Sequence, residues 1–523
     1  MFDIIIKNGT IIDGTGQLMF RADVGIKEDK IAEIGELSNE KSEIEINATD
    51  RLVCPGFIDV NNHSDTYWRI FNNPDLESLI YQGITTIVGG NCGSSLAPLA
   101  DSETIASIQK WANIKQVNVD WLTMSDFFRV VSNCKLSVNF ATLVGHGTLR
   151  RGILKDQMRV PEPKEMVFIE RMLSRSLSSG ALGMSSGLVY THARTTTKEE
   201  LVALTKIIKK HNGVYATHIR DEIDNFHEAL KEAIDVAKES EVKLHISHLK
   251  IIGEKNWGLM EEAIFLINKA KEEGIDITFD VYPYTNTGTV LYTLLPVWVT
   301  DGGRKMMLNR LKDEKIRPRV VYEMKESGFD YSKIEIAISA LDKTLGKRKI
   351  TDIARSQEKS VEDAVLDVLI ASEGRVITSM EVLSENNISR MIAHPLSIIA
   401  TNGAGYNLEH IKTGEQVHPR SFGTFVKALI KYVIQEKIIS WEEMIAKMTF
   451  CPASKFGLKK RGIIKKDCFA DIIVINRDEL KDLSTVDNPY QYSRGIDFVL
   501  VNGKIVLSEG KYAEIRNGEV LKK

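Results

Sequence analysis

The stretch that decides the fold runs from 213 to 250: "GVYATHIRDE" (213–222), "NFHEALKEAIDVAKES" (225–240) and "VKLHISHLK" (242–250). Two short β-branched runs flank a segment whose apolar residues recur at helical spacing, which predicts a strand–helix–strand unit. Each strand ends in a histidine, His218 and His248. The alternation extends outward in both directions. Strand-like apolar segments lie near 57–62, 84–92, 138–144, 182–186, 214–218, 242–248, 275–280 and 397–402. Amphipathic patterns such as "EELVALTKIIKK" (199–210) and "LMEEAIFLINKAKEEG" (259–274) fall between several of them. Such a series predicts an α/β fold, a closed TIM-type (β/α)8 barrel whose chemistry gathers at the C-terminal ends of its strands.

The two ends of the chain read differently. "DIIIKNGTIIDG" (3–14) and "DVGIKEDKIAEIG" (23–35) are strands with Asn-Gly and Asp-Gly turns, and "ADIIVINRD" (470–478) and "DFVLVNGKIVLSEGKY" (497–512) repeat that style. We expect residues 1–55 and 456–523 to build one small β-sandwich domain, and 56–455 the barrel. The stretch between the seventh and eighth strands exceeds a normal crossover, so about 290–345 is expected to be an insertion or lid.

A hydrophobic fraction of 43% and a charged fraction of 27% describe a globular protein with ample core. A net charge of −3 gives no general attraction for nucleic acid or an anionic membrane, and no apolar run is long enough to span a bilayer. The first residues show no basic region followed by an apolar one, so no secretory signal is expected. The five cysteines (54, 92, 134, 451 and 468) are odd in number and have no paired motif, which fits a reducing compartment, the cytoplasm.

Chemistry gathers where the predicted strands stop. The first gives Asn61 and His63, the second Cys92, the fifth His218, the sixth His248 and the eighth Asn402. Val242, Leu244, Ile246 and His248 share one side by period-two alternation, as do Val214, Ala216 and His218, so both histidines are expected to point with the residues that fill the barrel. One Cys or His at such a place is ordinary packing. One Cys and two His at the same end of one barrel make a three-ligand set with an open position, the arrangement of catalytic zinc. Cys54, Cys134, Cys451 and Cys468 lack such company and read as buried thiols. His146 in "VGHGTLRRG" and His192 in "VYTHART" could line the pocket or be structural, and neither is claimed.

Several longer motifs carry a resemblance: "PGFIDVNNHSD" (55–65), "VGGNCG" (88–93), "GHGTLR" (145–150), "GALGMSSGLVY" (180–190), "YATHIRDE" (215–222), "SHLK" (247–250), "FDVYPY" (279–284), "HPRSFGTF" (418–425) and "ADIIVINRD" (470–478). Over almost its whole length the chain resembles the amidohydrolase superfamily, and within it the N-acyl-D-amino-acid deacylases, or D-aminoacylases. The resemblance implies a barrel carrying a small β-sandwich. It implies a tightly bound zinc, one per chain, held by Cys92, His218 and His248. It implies that Lys250, Tyr282 and Arg420 grip a substrate's α-carboxylate, a role that suits Arg as a bidentate fork and Lys as a point charge. A serine that shares this grip in the family corresponds here to Gly288, between Thr287 and Thr289.

Two positions depart from that pattern. The family's second metal position uses a His-x-His pair after the first strand and an Asp after the eighth, and that Asp is also the general base. Here the first His is Asn61 and the Asp is Asn402. Asparagine keeps the size of aspartate but neither its charge nor its basicity, so the second metal should be weak or absent. A positioned base is worth about 10²–10⁴-fold. His63, Asp65 and Glu222 are the candidate replacements, and His63, which titrates near neutrality, comes first. The expected activity is a zinc-dependent amidohydrolase acting on N-acyl amino acids, of D configuration by the resemblance, or on a related carboxylate-bearing amide. The alternatives are a divergent enzyme doing acyl transfer or amide formation, and a non-catalytic ligand-binding homologue. The expected partner is a small molecule with a carboxylate.

Overall fold

The computed structural model describes residues 1–101, 104–105, 119–155, 157–339 and 343–523. The barrel strands are β1 (Phe57–Asp59), β2 (Ile84–Gly89), β3 (Asn139–Thr142, continued by Val144–Gly145), β4 (Gly183–Gly187), β5 (Val214–His218), β6 (Lys243–Ile246), β7 (Ile277–Val281) and β8 (Ser397–Ile399). Neighbours pair in parallel around the ring, and a parallel bridge between Asn62 and Gly403 joins β1 to β8.

The interior is filled by Ile58, Val60, Val88, Ala141, Val214, Ala216, Ile398 and Ala400, joined by Phe456 and Leu458. The other strand face packs on the helices: Tyr215, Leu244, Ile246, Ile277 and Phe279 share a cluster with Leu201, Leu204, Leu230 and Ile267. Those helices form where the sequence supplies a face and a cap. The helix Lys198–Lys210 begins at Thr197, whose hydroxyl accepts from the Glu200 amide. It carries Glu199 and Glu200 in its first turn and Lys209 and Lys210 in its last, matching the helix dipole at both ends. No helix among the described residues is long and apolar enough to cross a membrane.

Strands from both chain ends build one nine-stranded sheet. Its seam is the antiparallel pairing of Leu52–Pro55 with Ile472–Ile475, where Val53 faces Val474. Ile4, Ile6, Val24, Ile26, Val53, Ile472 and Val474 form its separate core. The turn at Asn502-Gly503 has φ of 47° and 76°, the left-handed pair a tight hairpin requires.

Between β7 and β8 the chain leaves the barrel. Asn286–Val290, Ile334–Ser339 and Val376–Glu381 make an antiparallel sheet, accompanied by helices Gly303–Lys312, Arg317–Glu326, Ile350–Ser356 and Val361–Ala371. This excursion contains the expected insertion at 290–345, of which 340–342 lie outside the described residues, and continues to Glu381. Its first strand reaches back over the C-terminal ends of the barrel strands and brings Thr287, Gly288 and Thr289 to the site.

Candidate metal centre and carboxylate grip

Three side chains converge at the C-terminal ends of the strands. Cys92 follows β2 on a sharp turn: Gly90 has φ of 71°, and a Cβ there would lie 2.1 Å from the Leu143 carbonyl oxygen. His218 is the last residue of β5 and continues the inward face of Val214 and Ala216.

His248 arrives by another route, and the alternation expected for its strand fails. Leu244 and Ile246 face outward to the helices, whereas His245 points inward, its ring 5.2 Å from that of Phe456. The strand ends at Ile246, and the left-handed backbone of His248 (φ 39°) marks the turn that follows. Cys92 (φ 51°) and Asn402 (φ 46°) are left-handed too. Three non-glycine residues in this region, at about 1–3 kcal/mol each, make the site a place where strain is concentrated.

The ligand atoms of Cys92, His218 and His248 all lie within 4.8 Å of one another, and all three residues are buried. Cys92 Sγ is 3.3 Å from His248 Nε2. Zn–S and Zn–N bonds of ordinary length in tetrahedral geometry separate such ligands by about 3.5 Å, so this edge is already set for a zinc ion. Burial and the nearby Lys250 charge push the His248 imidazole down to about 3, which keeps it neutral, as a ligand must be.

Glu222 organises the outer side of the cluster. Its Oε1 accepts from Lys250 Nζ at 2.5 Å and lies 3.2 Å from His248 Nδ1 and 3.4 Å from His218 Nε2. Burial alone would raise this carboxyl, but the charges of His218 and Lys250 and the hydrogen bonds of His218 and His248 hold it well below its usual range. Lys250 Nζ is also 2.9 Å from His248 Nδ1.

The corner where the resemblance implies a second metal holds His63, Asn402 and Asn61 in different arrangements. His63 Nε2 donates to Asn402 Oδ1 at 2.9 Å and is 3.9 Å from Cys92 Sγ, so both His63 and Asn402 line the pocket beside the thiol. Asn61 turns away. Its Nδ2 donates to both carboxylate oxygens of Asp280 at 3.2 Å, and Asp280 also accepts from His245 Nε2 at 2.9 Å.

Two of the three expected carboxylate-binding residues face the same pocket. Lys250 and Arg420 line it, while Tyr282 lies behind, its ring 5.1 Å from the Arg420 guanidinium and its hydroxyl donating to Thr287 at 3.0 Å. Arg420 opens the helix Arg420–Ala428, where the helix dipole disfavours a cation. Its Nε and Nη1 are buried without a hydrogen-bond partner. A guanidinium in that position needs an anion.

The remaining candidates separate cleanly. Asp65 accepts from the Gly90 amide at 2.7 Å and does not reach the pocket. His146 pairs with buried Glu200 at 2.8 Å, and Arg150 bonds the same carboxylate, which makes a structural cluster. His192 stacks near Tyr190 at 6.4 Å, outside the pocket lining. None of the five cysteines forms a disulfide; Cys54 and Cys468 are buried as expected, but Cys134 and Cys451 are only half-buried. Tyr67 and Tyr190, missed in the sequence, line the pocket, and Tyr190 meets the His218 ring edge-on at 5.4 Å. Tyr190 closes the motif at 180–190, and Tyr67 stands four residues after His63; no charge or spacing signal marks either.

Comparison with known proteins places this geometry. A D-aminoacylase of Alcaligenes xylosoxydans xylosoxydans is 30% identical over 520 residues, covering 99% of this chain and 97% of that one. A crystal structure of N-acyl-D-glutamate deacylase from Bordetella bronchiseptica, complexed with zinc and a phosphonate mimic of the tetrahedral intermediate, superposes with a TM-score of 0.84 at 28% identity and full coverage of both chains. A D-aminoacylase structure concerned with a binuclear metal centre, described as activated by one metal and attenuated by a second, gives a TM-score of 0.85 at 30% identity, again with full coverage of both chains. The amidohydrolase family model matches residues 45–395 and 406–507, and this chain belongs to that family.

Proposed function

We propose that the protein is a zinc-dependent deacylase of N-acyl-D-amino acids that works with one metal ion per chain. The observation that carries this reading is the meeting, in one pocket, of the Cys92–His218–His248 cluster with an Arg420 guanidinium that lacks an anionic partner. Cys92, His218 and His248 would hold the ion. A bound zinc would supply Lewis acidity toward a carbonyl and acidify water to near neutral pH. Arg420 and Lys250 take the α-carboxylate, with Tyr282 behind the guanidinium, and this fixes the acyl carbonyl toward Cys92. Glu222 orients His248 and Lys250 together. His63, beside Cys92 and within hydrogen-bond distance of Asn402, is the residue placed to move a proton between water and the leaving amine. A relative described as activated by one metal supports a working site without the second position. Five cysteines with no disulfide among them support a reducing compartment such as the cytoplasm.

The test is steady-state hydrolysis of N-acyl-D- and N-acyl-L-amino acids at matched zinc content, by wild type and by Asn402→Asp. The D series should be cleaved, and the variant should gain about 10²-fold, the low end of general-base catalysis. A second reading, in which the protein binds or transfers acyl amino acids without hydrolysing them, draws on the neutral amide at 402. It is favoured if neither protein releases free amino acid while both still bind the substrate.

A further inference from the structure

The catalytic pocket is small, with a volume of about 70 Å³, and a neighbouring space lined by Arg420, Ile338 and Ile377 adds about 40 Å³. Next to them lies a cavity of about 560 Å³ between the barrel and the excursion that follows β7. That volume falls within the range of about 300–1,000 Å³ typical of small-molecule sites. Its walls include Trp257, Leu294, Pro296, Met324, Phe329 and Tyr331, from the loop after β6 and from the excursion.

Only a thin partition separates the two spaces. Ile252 lines both. Glu222 faces the catalytic pocket and its neighbour Asp221 the cavity. Thr289 faces the pocket and Thr293 the cavity, their hydroxyls 3.3 Å apart. The Ile252 amide donates to the Glu222 carbonyl at 2.8 Å, its side chain is buried, and the next residue, Gly253, turns with φ of 90°. The two spaces therefore share the Ile252 side chain as a common wall.

Resting on the deacylase reading, we propose that this cavity seats the substrate's acyl group, a medium-length hydrocarbon tail, and that the enzyme prefers such substrates to N-acetyl ones. The pocket that holds Arg420 and Cys92 has about 70 Å³ and the cavity beyond Ile252 about 560 Å³, so the larger space for a tail of several carbons lies in the cavity. The charges on the cavity wall exclude a second carboxylate, because Asp221, Asp224, Glu254, Glu323, Asp330 and Glu381 outnumber Lys255 and Lys333. The apolar surface is there for an uncharged chain.

The experiment uses the zinc-loaded full chain with N-acetyl, N-hexanoyl and N-decanoyl derivatives of one D-amino acid, reading both kcat/KM and calorimetric Kd. Each methylene that enters should improve kcat/KM and Kd by about fourfold until the cavity is full. Leu294→Trp, which narrows the cavity, should abolish at least tenfold of the decanoyl advantage and leave acetyl turnover unchanged. Phe329→Ala should extend the gain to longer chains. Flat kcat/KM and Kd across the series, in wild type and both variants, overturn the proposal even if hydrolysis is rapid. Tighter binding of a protonated long-chain amine than of the decanoyl substrate overturns it too, in favour of a cationic amphiphile. If no substrate of any length is cleaved, the deacylase reading falls, and a Kd that still tightens with chain length upholds the cavity assignment.

Discussion

Replacing Arg420 with methionine should raise the stability of the ligand-free protein and weaken its hold on carboxylates. Arg420 is 8% exposed, and two of its guanidinium nitrogens are buried without partners. Unmet buried donors cost about 1–3 kcal/mol, and a cation in the first turn of a helix adds about 0.3–1 kcal/mol. The contact with the Tyr282 ring at 5.1 Å returns about 0.5–1 kcal/mol. Methionine of similar length keeps most of the packing and removes the charge. The net expectation is a gain of about 1–2 kcal/mol without ligand. With ligand the sign reverses. Truncating one partner of a buried charge pair costs about 2–5 kcal/mol, roughly 30- to 5,000-fold in kcat/KM or Kd. The assays are thermal unfolding with and without an N-acyl-D-amino acid, and turnover of that substrate beside its neutral carboxamide. The carboxamide should lose little. A variant that is less stable without ligand and loses equally on both substrates would show that Arg420 is a structural residue, and the assignment of the grip would be wrong.

Glu222→Gln should weaken zinc binding by about 10–100-fold, because the carboxylate that contacts both histidines proposed as ligands loses its charge; competition with a chromophoric chelator reads this directly. Elemental analysis of purified protein should find about one zinc per chain, and two full-occupancy ions would contradict the one-metal reading. Asp65 is pushed up to about 6 by burial, so its proton-linked stability is present below pH 4 and is lost as pH rises through 6. Asp65→Asn should accordingly match wild type near pH 4 and exceed it by up to about 3 kcal/mol at pH 7.5, measured by denaturant unfolding across that range.

The barrel was readable in the sequence because its strands are short apolar runs that alternate with strongly amphipathic helices, and that pattern has one common solution. The β-strand character of both ends was readable for a different reason, the recurrence of hairpin turns on β-branched runs at both termini; their pairing in one nine-stranded sheet is seen only in the structure. The wall of the site was less legible. His218 follows strand alternation, but His248 does not, since its strand stops two residues early and backbone φ of 39° follows. No residue pattern announces that turn. Tyr67 and Tyr190 were hidden because an aromatic residue facing a pocket and one facing a core look alike in one sequence. The partition at Ile252 is a property of packing between segments more than a hundred residues apart, Val382 included, and local patterns carry no information about it.

Asn61 and Asn402, at the positions where the resemblance implies a His and an Asp, are not equivalent, which yields a last prediction. Asn402 faces the pocket and meets His63. A carboxylate there would gain an imidazole partner at about the same distance and stay accessible to water, so Asn402→Asp changes chemistry more than stability. Asn61 faces the interior, where its amide supplies two hydrogen bonds to a fully buried Asp280. Asp280 is held below its usual range against the effect of burial, the hydrogen bond and charge of His245 foremost. Asn61→His must either keep that contact, and then cannot turn toward Cys92, or turn and leave the carboxylate one donor short. The second course costs about 1–3 kcal/mol. The single change at 61 should therefore lower stability by that amount and leave zinc content near one ion, while the change at 402 alone should deliver the gain in hydrolysis. Unfolding free energies, zinc content and turnover for the two single variants and the double variant separate these effects. Recovery of a second tightly held ion by Asn61→His alone, without loss of stability, would show that the Asn61–Asp280 contact does not govern that corner.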